Sequence, residues 1–171
     1  MQKGFTLWFT GAKGSGKTDL AECVEGTMLE RGMDVELLSE EILREDFATE
    51  QTSQDVLVKR AGAIANMLTR NNVPVIVAVN AQKAECRNEV REEIGQFVEV
   101  YCDNKTDSAD FEKPEKAEVV VDPEADEELN CQTILRTVGL LGYLPDGTAD
   151  SEYSEDEEEK IKKRLADLGY I

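Results

Sequence analysis

FTLWFTGAKGSGKTDL, Phe5 to Leu20, is an apolar run that breaks into a glycine-rich turn and resumes in helix-forming residues. Gly11, Gly16, Lys17 and Thr18 stand at the spacing G-x-x-x-x-G-K-[ST] of a phosphate-binding loop, and the match lies where such a loop belongs, between a strand and a helix start. Gly14 and Gly16 let the backbone curl so that successive N–H groups face one point, and the free N–H groups of the following helix add positive potential there. A polyphosphate fits that concavity. The motif therefore predicts that Gly11, Ala12, Lys13, Gly14, Ser15, Gly16, Lys17 and Thr18 cradle a nucleoside triphosphate such as ATP. Lys17 lies against the β- and γ-phosphates in this reading, and the Thr18 hydroxyl holds the accompanying Mg²⁺. Lys13 adds a charge inside the loop, for which a solvated side chain is the simpler account. Asp19 is an ordinary carboxylate at a helix N-terminus.

The length of 171 residues suits one domain that buries its own core. With 19 Lys and Arg against 37 Asp and Glu, the formal charge of -18 repels nucleic acid and anionic membrane surfaces, and neither is expected as a partner. An anionic nucleotide is still admissible, because a loop of N–H groups with Lys17 and Mg²⁺ reverses the sign locally. The absence of histidine removes His-based triads, His metal sites and His general bases together. Cys23, Cys86, Cys102 and Cys131 show neither zinc-ligand nor redox-motif spacing and read as free thiols of a reducing cytosol. With no signal peptide in the sequence and no apolar run of membrane-spanning length, the expectation is a soluble cytoplasmic protein.

Apolar runs at Phe5 to Thr10, Val35 to Leu38, Val73 to Val79, Phe97 to Cys102 and Glu118 to Val121 read as strands. Helical spacing marks residues 17–31, 54–70, 82–94 and 126–141. Ser39, beside Glu40 and Glu41, caps a brief turn through Arg44, and residues 45–53 read as loop. Strand and helix alternate, which predicts an α/β fold: a parallel sheet with helices on both faces, in three layers. Residues 1–145 form the domain, 146–159 an acidic linker, and 160–171 a terminal helix with the stripe Ile161, Leu165 and Leu168. That helix docks on its own domain or, alternatively, on a protein partner. Its end, RLADLGYI, echoes LLGYL at Leu140 to Leu144 without establishing a repeat.

The opening KGFTLWFTGAKGSGKT resembles that of adenylylsulfate kinases, P-loop enzymes that transfer the γ-phosphate of ATP to the 3′-hydroxyl of adenylylsulfate in sulfate activation. VLVKRAGAIANMLTRNNVPVIVAV, the stretch from CRNEVRE through FVEVYCD, and PEKAEVVVDP are similar to later family segments, so the likeness covers Lys3 to Leu141 and implies the P-loop NTPase fold. The family's Asp-Gly-Asp-Asn-x-Arg motif falls on VELLSEEILR. By resemblance, Glu41 is the base and Mg²⁺-linked acid, and Arg44 lies near the acceptor, completing a catalytic set with Lys17. The substrate side departs from the family. Ser39 and Glu40 replace Asp and Gly, the Arg-x-x-Asn pair becomes Gln54 and Leu57, and Ser-Pro-Tyr-Arg becomes Ala81, Gln82, Lys83 and Ala84. Between Cys102 and Phe111, only NKTDSAD stands where the family has a long basic lid. Two readings follow. The departures favour a nucleotide-binding module that has lost its acceptor site. The alternative is an active kinase on adenylylsulfate, or on a smaller or less anionic acceptor. A homodimer is a further expectation.

Overall fold

Strands rich in Val, Ile and Phe and apolar on both faces need covering from two sides, and that requirement organises the chain. The computed structural model describes residues 2–105, 108–145 and 154–171. Its strands are β1 (Thr6–Thr10), β2 (Glu36–Ser39), β3 (Val75–Ala78), β4 (Phe97–Cys102) and β5 (Val119–Val121). Its helices are α1 (Lys17–Glu30), α2 (Glu40–Phe47), α3 (Gln54–Thr69), α4 (Ala84–Ile94), α5 (Glu127–Leu140) and α6 (Glu155–Asp167). All strand pairings are parallel, in the order β2-β3-β1-β4-β5. The predicted three-layer α/β architecture is the one observed.

Alternation along β1 divides the core. Phe5, Leu7 and Phe9 join Leu20, Val24 and Met28 of α1 and Ile134, Leu135 and Val138 of α5 on one face. Trp8 joins Leu57, Val58 and Ala61 of α3 and Val90 and Ile94 of α4 on the other. Because β1 lies in the middle, the loop that leaves its carboxyl end emerges beside the ends of β3 and β4. Ligands of open α/β sheets bind outside these ends.

One charged cluster is built into the second face. Glu99 of β4, 3% exposed, pairs with the 2% exposed Arg87 at 3.2 Å and with Arg91 at 3.1 Å, and accepts from the Thr10 hydroxyl at 2.9 Å. Arg91 also pairs with Glu118, whose other oxygen accepts the Glu99 N–H at 2.6 Å. Each buried charge has opposite charges and hydrogen bonds around it, which is the condition for tolerating it.

Most element ends shift by one or two residues, and two stretches differ more from the sequence reading. Residues 45–47, read as loop, continue α2, whose last carbonyl, on Phe47, is held by the Arg60 guanidinium at 2.5 Å. A cation at a helix C-terminus favours that extra turn. Of the expected linker 146–159, residues 146–153 lie outside the described residues, and Glu155 to Glu159 are the first turns of α6. Four acidic residues in that first turn suit the positive end of the helix.

The terminal helix packs on its own domain. Ile161 and Leu165 are buried, Arg164 Nε donates to the Ala117 carbonyl at 2.8 Å beside edge strand β5, and Tyr170 OH donates to Glu118 at 2.5 Å. The echoed LGY is a repeated helix stop. In both copies the tyrosine N–H bonds back to the carbonyl five residues earlier, Tyr143 to Val138 and Tyr170 to Leu165, after a glycine at positive φ, 76° at Gly142 and 83° at Gly169. Leu165→Ala, at a 0% exposed position in this contact, should lower unfolding free energy by about 2–5 kcal/mol, read as a fall in urea midpoint at constant slope.

Candidate functional site

Residues 11–16 connect β1 to α1, where the motif predicts a cradle. Gly14 and Gly16 have φ of 77° and 80°, Ser15 N donates to the Ala12 carbonyl at 3.1 Å, and no side chain caps α1 at Gly16. Uncapped helix N–H groups and a concave turn are the donor set a phosphate needs. A depression of about 260 Å³ is lined by Gly14, Ser15, Gly16, Lys17, Thr18 and Asp19. Thr18 is half-buried at its wall, and Lys13 and Asp19 are exposed. This donor set suits a polyphosphate, and the Thr18 hydroxyl stands at the edge of the same depression.

Lys17 is 5% exposed. Its ammonium donates to Asn80 Oδ1 at 2.6 Å and to the Ala12 carbonyl at 3.4 Å. Burial lowers its pKa below the usual lysine value, against the opposing pull of Cys102 and Glu40. Burial likewise pushes the Cys102 thiol up to about 12, which keeps it neutral beside the loop.

The acceptor-side residues are brought together differently from the sequence reading. Ser39 caps α2, its hydroxyl accepting from Ile42 N at 3.3 Å, and this sets the phase of the helix. Glu41 is exposed to solvent. Its neighbour Glu40 is the carboxylate that faces the loop: Oε2 accepts from Asn80 N at 2.8 Å and Gln54 Nε2 at 3.1 Å, and Oε1 from Arg44 Nε at 3.3 Å. Arg44 also donates to Gln54 Oε1 at 2.5 Å, and Gln54 Nε2 donates to the Asn80 carbonyl at 2.8 Å. Lys17, Asn80, Glu40, Gln54 and Arg44 therefore form one connected polar network. Leu57 is fully buried in the core. Lys83 pairs with Asp55 at 2.5 Å, and the N–H of Ala84, at the start of α4, donates to the Glu112 carboxylate at 2.8 Å. The cations and free helix end on this side are thus answered by the protein's own oxygens. Of the shortened lid segment, residues 106–107 lie outside the described residues.

Asn80 and Glu40 escaped the sequence reading. A polar residue directly after the apolar run VIVAV, at the carboxyl end of a central strand, was the available signal for Asn80. A glutamate inside FVEVYC was the signal for Glu99.

The family model for adenylylsulphate kinase matches residues 3–115. The chain belongs to the adenylylsulphate kinase family. An adenylyl-sulfate kinase of Rippkaea orientalis is 29% identical over 189 aligned residues, covering 99% of this chain and 96% of that protein. The alignment is longer than the 171 residues here, so this adenylylsulphate kinase family member lacks residues its relative carries. Among solved structures, a hexameric APS kinase from Thiobacillus denitrificans superposes with TM-score 0.74 at 30% identity, covering 84% of this chain and 30% of that one. This chain thus spans under a third of that protein's length. A point mutant of the Mycobacterium tuberculosis APS kinase gives 0.67 at 26% identity, covering 80% and 97%. No helix among the described residues is long and apolar enough to cross a membrane.

The lowered Lys17 pKa has a consequence for anion binding. The loop needs the charged ammonium, so affinity for inorganic triphosphate should fall as pH rises through that lowered value, ahead of the range in which exposed lysines discharge. Titration calorimetry across pH reads this. Lys17→Ala should abolish the pH dependence and weaken binding by about 10–100-fold, the equivalent of one charged hydrogen bond.

Proposed function

We propose that the protein binds ATP with Mg²⁺ through Gly11 to Thr18 and that its acceptor half no longer holds adenylylsulfate, so that it serves as a nucleotide-binding module. Family membership and the cradle geometry support the first half. The observation that carries the second is the closure of Arg44 and Gln54 onto Glu40 and Asn80. An anionic acceptor needs cations with free donors. Here Arg44 is neutralised by Glu40, Lys83 by Asp55, and a glutamine stands where the family has arginine. Phosphoryl transfer depends on positioning and on cations at the transferring group, and this side supplies neither freely.

When bound, ATP would bring a transferable γ-phosphate and Mg²⁺ would offset its charge. The chain's own residues bind and orient: loop N–H groups and Lys17 take phosphate oxygens, and the Thr18 hydroxyl takes the metal. Glu40 is better placed than Glu41 to act near that metal, since it is Glu40 that reaches the partner of Lys17.

A second reading, an active kinase on adenylylsulfate or another small acceptor, is favoured by the retention of a carboxylate and Arg44 beside the loop. In that case Glu40→Gln should lower turnover by on the order of 10²-fold, as for other misplaced catalytic groups, and Glu41→Gln should have little effect. Calorimetry with MgATP, followed by addition of adenylylsulfate under a coupled ADP assay, decides between the readings. Saturable ATP uptake with no adenylylsulfate-dependent ADP is the expected result. Steady ADP release would establish the kinase, and no uptake of nucleotide would remove both readings.

A further inference from the structure

Of the four cysteines in the chain, Cys23 and Cys131 meet across two helices. Cys23, on α1, is half-buried against the core face that α1 shares with α5, and Cys131, on α5, is 3% exposed in that same face. Thr27 shows how close the helices come: its hydroxyl donates to the Cys23 carbonyl one turn back at 3.0 Å and lies 3.3 Å from Cys131 Sγ. The Cys131 sulfur thus reaches the turn of α1 that begins at Cys23, and the two thiols are hydrogen-bonded to each other. All three side chains line one depression of about 590 Å³ between α1 and α5, which opens the Cys23 side of the pair to small solutes.

Two thiols in contact are joined by oxidation. The thiolate of one attacks a low-molecular-weight disulfide, forming a mixed disulfide and releasing one small thiol. The second cysteine then attacks the protein sulfur of that mixed disulfide and releases the other small thiol. Two protein S–H bonds are lost and one S–S bond forms, while two electrons and two protons pass to the small disulfide, which leaves as two thiols. Cys23 is the entry point, being the more exposed, and Cys131, already in contact, resolves the mixed disulfide. Burial, the neighbouring Cys131 and the Glu127 carboxylate push the Cys23 thiol up to about 12, and Glu30, Arg31 and Glu128 are the other charged groups around the depression. Since the thiolate is the reactive form, the pair resists oxidation at neutral pH and reacts faster as pH rises toward that value.

We propose that Cys23 and Cys131 are a redox-sensitive dithiol that a small-molecule disulfide closes into a covalent staple between α1 and α5. The staple closes a loop on the order of 100 residues, and in the chain-entropy account long loops restrict the unfolded chain most. It also fixes α1, whose first residues are Lys17 and Thr18 of the phosphate-loop motif, to the helix it packs against. Cys86 on α4 and Cys102 on β4 serve as internal controls.

The test incubates the reduced protein with oxidised glutathione at neutral and mildly alkaline pH, blocks the remaining thiols with N-ethylmaleimide after unfolding, and weighs the intact chain and its peptides. Two of the four thiols should escape blocking, the protein should be lighter by two hydrogens, the bridged peptides should map to Cys23 and Cys131, and dithiothreitol should restore all four thiols. The rate should rise about tenfold per pH unit, as the thiolate fraction does, and the oxidised protein should melt about 5–10 °C above the reduced one. Cys23→Ser, nearly equal in volume at a half-buried position, should form no internal bridge, whereas Cys86→Ser should form it as the wild type does. Four blocked thiols in the wild type, glutathione adducts without a bridge, a bridge through Cys86 or Cys102, or a bridge that leaves the melting temperature unchanged would each overturn the staple.

Discussion

A buried ammonium must be given oxygen atoms, and the way Lys17 obtains them ties the two halves of this site together. The loop supplies one, the Ala12 carbonyl, and the second comes from Asn80 on a different strand. Desolvation makes these contacts obligatory, since a cation that is 5% exposed has little water to fall back on. Parallel pairing of β1 with β3 brings the two residues together, because it sets their carboxyl ends side by side. Everything on the acceptor side then follows by connection, from Asn80 to Glu40 and Gln54 and from these to Arg44.

The same reasoning explains the second polar cluster. Glu99 enters the sheet in β4 and would be intolerable alone, so Arg87 and Arg91 of α4 converge on it, and Glu118 balances them. Arg87 also donates to the carbonyls of Ala81, Gln82 and Glu112, holding the segment between β3 and α4 that contains the altered Ser-Pro-Tyr-Arg positions. Tyr170 completes the ladder from the other end through Glu118. The terminal helix is therefore secured by apolar burial and by a polar anchor, and a second copy of the same glycine-based helix stop puts Tyr143 against Phe5.

Legibility followed the range of the interactions. The loop, its strand and its helix were readable because spacing within sixteen residues specifies them, and the helix of α5 was readable from its apolar period, to which the structure adds the Asp126 cap. Ser39 is legible as a cap, yet the family motif points to Glu41, whereas Glu40 is the carboxylate bonded to Asn80 and Gln54. Adjacent residues on a helix differ by about 100° in direction, so a one-residue change in phase replaces an inward side chain with an outward one. Family alignment counts positions and does not see that rotation. Leu57 illustrates the opposite case: its departure from the family pattern was plain in the sequence, and its place in the core explains why an apolar residue is accepted there.

Taken alone, the amino-acid sequence determined the layered α/β fold, the phosphate-type loop motif with Lys17 and Thr18, and the departure of Gln54, Leu57 and Ala84 from the family pattern, because each depends on local periodicity, turn chemistry or residue identity. Tertiary structure decided which carboxylate faces the loop, that Asn80 holds Lys17, how Glu99 is compensated, and that the last helix lies on its own domain. These depend on contacts between residues tens of positions apart, such as Lys17 with Asn80 and Glu118 with Tyr170. Only the register of the sheet and the packing of helices against it bring such residues within hydrogen-bonding distance.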